Sequence, residues 1–382
     1  MTPKVDTMSS SENPSTSLFR EYLRIRTVHP DPDYGNHGAE EFLVRVAKDI
    51  GLESRKVKLS SGRDILVMTW QGTDPKLKSV ILNSHIDVVP VYEDLWTHPP
   101  FAAHKDEAGN IYARGTQDMK CVTIQYLEAL RQLKSDGSHF PRTIHLTLVP
   151  DEETGGHTGM ELFVDYPEFK DLNPGITLDE GLASPTEEFS VFYGEKCPWC
   201  KSYFTSSFHK RKESDPSLSI GDVTTVNLTK LSGGILYNVV PSIMSVTFDL
   251  RVQPTLNLKE FESRIEGWCR EAGSDVTWEY HQKCMNQNIT SIDESYPWWK
   301  AFSKPCNEGL KLKPEIFPAG TDSRYIRQAG YPALGFSPMN HTPILLHDHN
   351  EYLNEDVFLR GIHIYNKIIS SLASVPAFDE EL

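Results

Sequence analysis

Residues 79–90 read SVILNSHIDVVP, a run of β-branched and other apolar residues that leads into a histidine. Such a run is typical of a strand buried on both faces, as in a parallel sheet. Two later stretches repeat the pattern and end in carboxylates, RTIHLTLVPDEE at 142–153 and GITLDEG at 175–181. A helical segment, CVTIQYLEALRQLKS at 121–135, separates the first strand from the second. This order predicts an α/β fold, with a mixed, mostly parallel sheet flanked by helices.

Composition limits the function classes. The chain has 382 residues, enough for two domains, and 53 acidic against 38 basic residues give a net charge of −15. That charge disfavours nucleic acid or an anionic membrane as partner, and favours small, diffusible substrates. We expect no membrane span, because no apolar run reaches about 18 residues. The polar start, residues 1–16, predicts a disordered tail without a signal peptide, and six sparse cysteines favour the cytoplasm.

Residues 194–285 differ in character from the rest. VTTVNLTKLSGG, IMSVTFDLRVQP and VTWEYHQKCM alternate like exposed strands, and LKEFESRIEGWCREAG is an amphipathic helix. We therefore predict an inserted α+β domain with an antiparallel sheet at 194–285. The catalytic domain then consists of two pieces, 17–193 and 286–382.

Five side chains of the types that bind metal stand in short, distinctive settings: His85, Asp118, Glu153, Glu180 and His347. Three of them follow the buried strands, and ligands of open α/β sheets bind at the carboxyl ends of strands. Two imidazoles and three carboxylates suit a pair of zinc ions that share one carboxylate, and such a pair implies hydrolysis. Asp118, on a glycine-bearing loop before a helix, is our candidate for the bridge; a helix N-cap is the alternative.

The sequence leaves two of the ligand positions open. Asp179 stands beside Glu180, and His349 stands two residues after His347, so spacing does not choose within either pair. Glu351, four residues after His347, has no role that we can derive.

Two further carboxylates have predicted roles beside the metals. Asp87 lies two residues after His85 on the strand end, so it can accept the ring N–H of that histidine. Glu152 and Glu153 diverge at a strand end, and we assign Glu153 as a ligand and Glu152 as the general base. Glu152 would take a proton from the attacking water and pass it to the leaving amine. In isolation, a solvated acidic turn is the better interpretation of a DEE sequence.

Substrate recognition calls for arginine if the substrate carries a carboxylate. Our candidates are Arg251, Arg324 and Arg327, and the alternative for each is a structural ion pair. Asn238, in LYNVVP, is a candidate donor to the polarised carbonyl in the transition state. The CPWC sequence at 197–200 lacks the βαβ context of a redox motif, so we interpret it as a chance pair of free thiols.

Taken together and in this order, the motifs closely resemble the dizinc metallopeptidase family of carnosinases, succinyl-diaminopimelate desuccinylases and aminoacylases, and most of all the aminoacylases. The motifs are SHIDVVP, YARGTQDMK, VPDEETGGHTGM, LDEG, LYNVVP, GTDSRYIR and LLHDHNE. The resemblance implies two zinc ions on His85, Asp118, Glu153, Glu180 and His347, with Asp118 bridging. It also implies a homodimer formed through the inserted domain, and substrates that are N-acyl L-amino acids.

One departure from the family is large. A strand and a G-x-P-G-H-A-type loop, whose histidine reaches the oxyanion across the dimer, are missing after GEKCPWC, and so is the long helix that follows. His209 lacks the loop's context and does not inherit the role. Losing one oxyanion donor costs about 100- to 1,000-fold in turnover. We expect an open sheet edge, uncovered apolar surface and a weakened dimer. Two alternatives follow: an impaired zinc-binding isoform that pairs with full-length subunits, or a dipeptidase of the same family.

Overall fold

The computed structural model describes residues 12–30, 32–35, 38–201, 219–234, 236–239, 243–274, 276–306, 309–378 and 381. Their strands are β1 Glu53–Lys58, β2 Asp64–Trp70, β3 Ser79–His85, β4 His104–Lys105, β5 Asn110–Tyr112, β6 Ile144–Val149, β7 Pro174–Asp179, β8 Glu188–Glu195, β9 Cys197–Lys201, β10 Thr225–Gly233, β11 Met244–Val252, β12 Tyr280–Lys283, β13 Lys311–Phe317, β14 Ala333–Phe336 and β15 Tyr352–Asn354. Their helices are α1 Pro14–Leu23, α2 Ala39–Ile50, α3 Lys120–Ser135, α4 Met160–Phe163, α5 Pro167–Lys170, α6 Leu258–Ala272, α7 Pro297–Cys306, α8 Ser323–Gln328 and α9 Glu355–Ala373.

The largest sheet has eight strands in the order β1-β2-β6-β3-β7-β14-β8-β13. Its centre is parallel, because β3 pairs in parallel with both β6 and β7, and β7 pairs in parallel with β14. The β1-β2, β2-β6 and β14-β8 pairs are antiparallel. The predicted mixed, mostly parallel sheet is confirmed.

Helices cover both faces of this sheet. One face packs against α1, α2, α3, α7 and α9, with Phe19, Leu127 and Ile368 among the fully buried residues. The other face packs against α4, α5 and α8, where Phe163, Phe169 and Ile326 are fully buried. Strands buried on both sides need apolar residues on both faces, which explains why β3 and β6 do not alternate between apolar and charged residues. None of the helices within the described ranges is long and apolar enough to cross a membrane.

A second, antiparallel sheet has the order β10-β11-β9-β12, and its core residues include Trp199, Leu250 and Phe261 of α6. The sequence predicted its strands β10, β11 and β12 and its helix, although β12 is shorter than expected. It missed β9, whose CPWC sequence places a proline inside a central strand. The domain boundaries at 193/194 and 285/286 stay a prediction.

The amino terminus differs from the predicted disordered tail at residues 14–16. Helix α1 begins at Pro14, and the Asn13 side chain caps it by accepting the N–H of Ser15 at 2.9 Å. Thr16 is fully buried, and the Ser15 hydroxyl donates to Glu128 at 2.6 Å. Asn followed by Pro is a common helix start. The polar residues that suggested disorder therefore include the N-cap of α1. Residues 1–11 lie outside the described part of the chain.

Candidate metal centre

The candidate site lies at one edge of the eight-stranded sheet. Strand β3 ends at His85, β7 ends just before Glu180, and β6 is followed by a short 3-10 turn, Glu152–Thr154. Since β3 lies between β6 and β7 and is parallel to both, the three carboxyl ends are neighbours. The parallel register therefore brings these side chains together.

Asp118 stands at the centre of the cluster, two residues before helix α3 begins. Its Oδ1 atom is 2.9 Å from Nε2 of His85, and its Oδ2 atom is 3.1 Å from Nε2 of His347. The peptide bond that follows it, to Met119, is cis. Each oxygen faces a different imidazole, which is the arrangement that a bridging carboxylate needs.

The remaining ligand candidates divide between the two imidazoles. Oε2 of Glu180 is 3.5 Å from Nε2 of His85, and Oε2 of Glu153 is 3.0 Å from Nε2 of His347. One side thus holds His85 with Glu180, the other holds His347 with Glu153, and Asp118 is common to both. The five side chains form two overlapping sets of three.

The geometry favours Glu180 over its neighbour Asp179. The Asp179 carboxylate accepts hydrogen bonds from Asn83 at 3.1 Å and from the backbone N–H and hydroxyl of Ser323 at 2.9 and 2.7 Å. Asp179 therefore joins β7 to the start of α8, while Glu180 faces His85.

The geometry likewise favours His347 over His349. The backbone of His347 adopts a left-handed conformation with φ of 62°, which turns the ring toward Asp118 and Glu153. The His349 ring instead makes an edge contact with Tyr92, with ring centroids 6.2 Å apart.

The predicted contact between His85 and Asp87 differs in one detail. Nδ1 of His85 lies 2.9 Å from the backbone carbonyl of Asp87 and 3.6 Å from its carboxylate. The carboxylate is occupied elsewhere, since it lies 3.2 Å from Nε2 of His29 and accepts the N–H of Glu153 at 3.1 Å. A ring N–H donated to the carbonyl still leaves Nε2 of His85 free for a metal.

Glu351, for which we could derive no role from the sequence, binds the loop that carries Asp118. Its fully buried carboxylate meets four donors, the Arg114 guanidinium at 2.7 Å, the Gly115 N–H at 3.2 Å, the Thr116 hydroxyl at 3.2 Å and the Gln117 N–H at 2.6 Å. This contact joins residues far apart in the chain, so no local sequence signal marks it.

The buried carboxylates of the cluster favour the binding of a cation. Burial, and then Asp118, raise the pKa of Glu153 to about 7, and burial and Asp118 also raise the pKa of Glu180 well above its usual value. Atom Oε1 of Glu153 is buried without a hydrogen-bond partner among the described residues. Buried carboxylates normally pair with donors or bind metals. Carboxylate and imidazole donors in two overlapping sets fit two zinc ions.

Glu152 lies at the inner side of the same cluster. A carboxylate oxygen of Glu152, a ring nitrogen of His85 and an oxygen of Glu180 all lie within 4.8 Å of one another. Burial, and then the Glu180 carboxylate, raise the pKa of Glu152 well above its usual value. A carboxylate at this position can reach a water held between the ligands.

The structure brings one of the predicted substrate-binding residues to the cluster. Arg324, in α8, donates from Nη2 to the Gly155 carbonyl at 2.7 Å, beside the Glu152–Thr154 turn. Arg327 forms a buried ion pair with Glu195 at 2.9 Å, which agrees with the alternative that Arg327 has a structural role.

Two other predicted substrate-binding residues are placed elsewhere. Arg251 pairs with Asp249 on β11 at 2.9 Å, and Asn238 is exposed in the turn between β10 and β11. No hydrogen bond or ion pair within the described ranges joins either of them to the five ligand candidates. His209 lies outside the described residues.

Comparison with known proteins gives one matching family model and several similar relatives. The model of "Peptidase family M20/M25/M40" matches residues 81–371. Aminoacylase-1 of Mus musculus is 54% identical over 402 residues, which cover 97% of this chain and 98% of the mouse protein. Aminoacylase-1 of Dictyostelium discoideum is 43% identical over 412 residues, which cover 96% of this chain and 99% of that protein.

Both alignments are longer than the 382 residues of this chain. An alignment can exceed the chain only where the relative carries residues that the chain lacks. The aminoacylase relatives therefore contain segments that are missing here.

Solved structures share the fold at low sequence identity. A metallo-carboxypeptidase from Sulfolobus solfataricus superposes with a TM-score of 0.71 at 14% identity, covering 94% of this chain and 99% of that chain. Human carnosine dipeptidase 1 superposes with a TM-score of 0.68 at 12% identity, covering 94% of this chain and 96% of that chain. These likenesses show the fold alone.

Proposed function

Because the chain belongs to peptidase family M20/M25/M40, we propose that it is a zinc-dependent aminoacylase, which hydrolyses N-acyl L-amino acids to a free L-amino acid and a carboxylate. The match to the family model shows the family. The 54% identity to mouse Aminoacylase-1 over nearly the whole of both chains supports the amide substrate. The observation that carries the proposal is Asp118, whose two oxygens face His85 and His347.

The proposed centre holds two zinc ions per chain. One set of ligands is His85, Asp118 and Glu180, and the other is His347, Asp118 and Glu153. A zinc pair bound at this place would supply a Lewis acid for the amide carbonyl and would lower the pKa of water. The zinc identity and the number of ions rest on the donor chemistry and on the family.

Glu152 is the proposed general base. It takes a proton from the attacking water onto its carboxylate and delivers it to the nitrogen of the leaving amino acid. The Asp87 carbonyl holds the His85 ring by its Nδ1–H, which keeps the opposite nitrogen turned to the site. Asp87 is thus a positioning residue.

Arg324 is the proposed partner of the substrate carboxylate. Its Nε atom is buried and has no hydrogen-bond partner among the described residues, while Nη2 is fixed by the Gly155 carbonyl. An anchored guanidinium with a free N–H is ready to bind an anion. Arg251 and Asn238 stay predictions, and nothing in their present contacts supports them.

We also propose a homodimer formed through the four-stranded sheet. Strand β10 is an edge of that sheet, and the hairpin of β10 and β11 exposes several apolar side chains: Leu228, Leu231, Leu236, Tyr237, Ile243 and Met244. Pairing of this edge strand with a second copy of the chain would cover its exposed apolar side chains. The missing family segment is expected to weaken this dimer.

The cytoplasm is the proposed compartment. All six cysteines are free. Free thiols fit a reducing compartment.

The test is hydrolysis of N-acetyl-L-methionine by the purified, zinc-loaded chain, with zinc quantified in the same sample. We expect two zinc ions per chain and release of methionine. Two zinc ions without turnover would replace the proposal by the impaired isoform that pairs with full-length subunits. Faster turnover of a dipeptide than of the acetyl amino acid would replace it by a dipeptidase.

A further inference from the structure

Two short connections join the four-stranded sheet to the eight-stranded one, and they run side by side. The first is Lys196, which links the end of β8 at Glu195 to the start of β9 at Cys197. The second follows β12 and returns through residues 284–290. Thr290 fastens it to the large sheet, because its N–H donates to the Tyr193 carbonyl at 2.7 Å.

A cysteine stands on each of these connections. The Cys284 N–H donates to the Pro198 carbonyl at 3.1 Å, so Cys284 is next to the beginning of β9. The sulfur of Cys197 is 3.0 Å from the carbonyl oxygen of Asn286, and the sulfur of Cys284 is 3.9 Å from the same atom. Both sulfurs therefore lie against the same carbonyl oxygen.

The two thiols differ in reactivity in the way that a redox pair requires. The neighbouring Cys197 thiol lowers the pKa of Cys284 to about 7, which favours the thiolate form of Cys284. Cys284 is partly exposed, while Cys197 is 1% exposed. In such a pair the accessible thiolate is oxidised first, and the buried thiol then attacks the oxidised sulfur to form a disulfide.

We propose that Cys197 and Cys284 are a redox modification site, which closes to a reversible disulfide on reaction with a peroxide. The Cys284 thiolate attacks hydrogen peroxide, so that the O–O bond breaks, an S–O bond forms and hydroxide leaves. The Cys197 thiol then attacks the oxidised sulfur, the S–S bond forms, and the S–OH oxygen leaves as water with the Cys197 proton. Overall, two thiols lose two electrons and one peroxide becomes two waters.

The disulfide would tie the two connections to each other. Asn286, in the second connection, donates to the Arg324 carbonyl at 3.1 Å, so the tie reaches the helix that borders the metal centre. Cross-linking is expected to slow backbone hydrogen exchange in residues 284–290. This inference is independent of the proposed function, because thiol chemistry does not require turnover.

The experiment is peptide mapping of the zinc-loaded full chain after treatment with hydrogen peroxide. Free thiols are alkylated, the chain is digested without reductant, and cross-linked peptides are identified by mass spectrometry. We expect a Cys197–Cys284 peptide that disappears after dithiothreitol, and slower exchange at 284–290 before reduction. Recovery of both cysteines in alkylated form after peroxide treatment would overturn the proposal.

Variants sharpen the result. Cys200→Ser is the matched control, since Cys200 lies on the same strand and is also partly exposed. It should leave the cross-link unchanged. Cys197→Ser should prevent the cross-link and leave a sulfenic acid on Cys284 that dimedone labels. A cross-link that contains Cys200, or dimedone labelling of Cys200 in place of Cys284, contradicts the assignment.

Discussion

The carboxylate of Glu351 accepts the backbone N–H of Gln117 at 2.6 Å, one residue before the bridging candidate Asp118. The same carboxylate binds the buried guanidinium of Arg114 at 2.7 Å. A ligand's supporting hydrogen bonds set its orientation, and their loss typically lowers metal affinity. Glu351 therefore supports the proposed metal centre without being one of its ligand candidates.

The substitution Glu351→Gln is expected to lower zinc affinity about 10- to 100-fold, because the Asp118 loop loses its anchor. It should also destabilise the chain by roughly 3 kcal/mol, since Arg114 is left as a buried charge without a counterion. Zinc titration and urea unfolding measure the two effects. Glu355→Gln, which changes a more exposed glutamate four residues later, is the control. Equal zinc affinity in the two variants would show that the loop does not depend on Glu351.

Glu152→Gln is expected to lower turnover about 100- to 10,000-fold while both zinc ions remain bound, because the amide cannot take a proton from water. Glu153→Gln, at the adjacent position, should lose zinc instead. Turnover of N-acetyl-L-methionine and zinc content by atomic absorption distinguish the two. Loss of both metals in Glu152→Gln would mean that Glu152 is a ligand.

His347→Asn is expected to remove one of the two zinc ions, because the imidazole that faces Asp118 and Glu153 is lost. His349→Asn, two residues on, should keep both ions. Zinc-to-protein ratios after gel filtration measure the difference. A ratio that falls only in His349→Asn would reverse the choice between the two histidines.

Stability should fall in acid through His145, which is buried on β6 beside the Thr69 hydroxyl at 2.9 Å. Burial lowers the pKa of His145 to about 4 in the folded chain. Between pH 4 and 6.5 the unfolded chain then binds more protons, so the free energy of unfolding decreases as pH falls through this window. The free energy of unfolding decreases by up to about 3 kcal/mol across this window. Above pH 6.5 the effect of His145 on stability no longer changes with pH.

His145→Asn should reduce this pH dependence, measured by urea unfolding of the metal-free chain at pH 4.5 and 7. His139→Asn changes an exposed histidine and serves as the control. The same slope in all three proteins would exclude His145 as its source.

Ile243→Glu is expected to shift the chain toward monomer, because it places a charge within the exposed apolar surface of the β10 and β11 hairpin. Sedimentation velocity at several protein concentrations measures the shift. Leu95→Glu, at another exposed apolar position, should leave association unchanged. A dimer of unchanged strength in Ile243→Glu would place the interface elsewhere.

The ligand-bearing strands could be predicted because β3, β6 and β7 are rich in apolar and β-branched residues, are buried at every position and end at His85, Val149 and Asp179. Helix α3 could be predicted for a similar reason, from its long periodic segment. Strand β9 could not, since five residues with a proline carry almost no pattern. Its place depends on pairing with β11 and β12, which lie far along the chain.

Part of the site was equally inaccessible from sequence. Adjacent acids such as Asp179 and Glu180 look alike until Ser323 is seen to occupy one of them. Glu351 and its four donors come from two separate segments, so their contact exists only in the folded chain. The motifs predicted the residue types, and only the folded structure shows which of these side chains contact one another.

The order of the five ligand candidates along the chain has a consequence for synthesis. Four of the five, from His85 to Glu180, precede the small sheet, and His347 follows it. At about 5 to 20 residues per second, a ribosome needs roughly 8 to 30 s to travel from Glu180 to His347. During that interval the nascent chain has Asp118, Glu153 and Glu180 but only one of the two proposed ligand imidazoles, that of His85. The proposed metal centre would therefore be completed late in synthesis, after the rest of the sheet edge has been made.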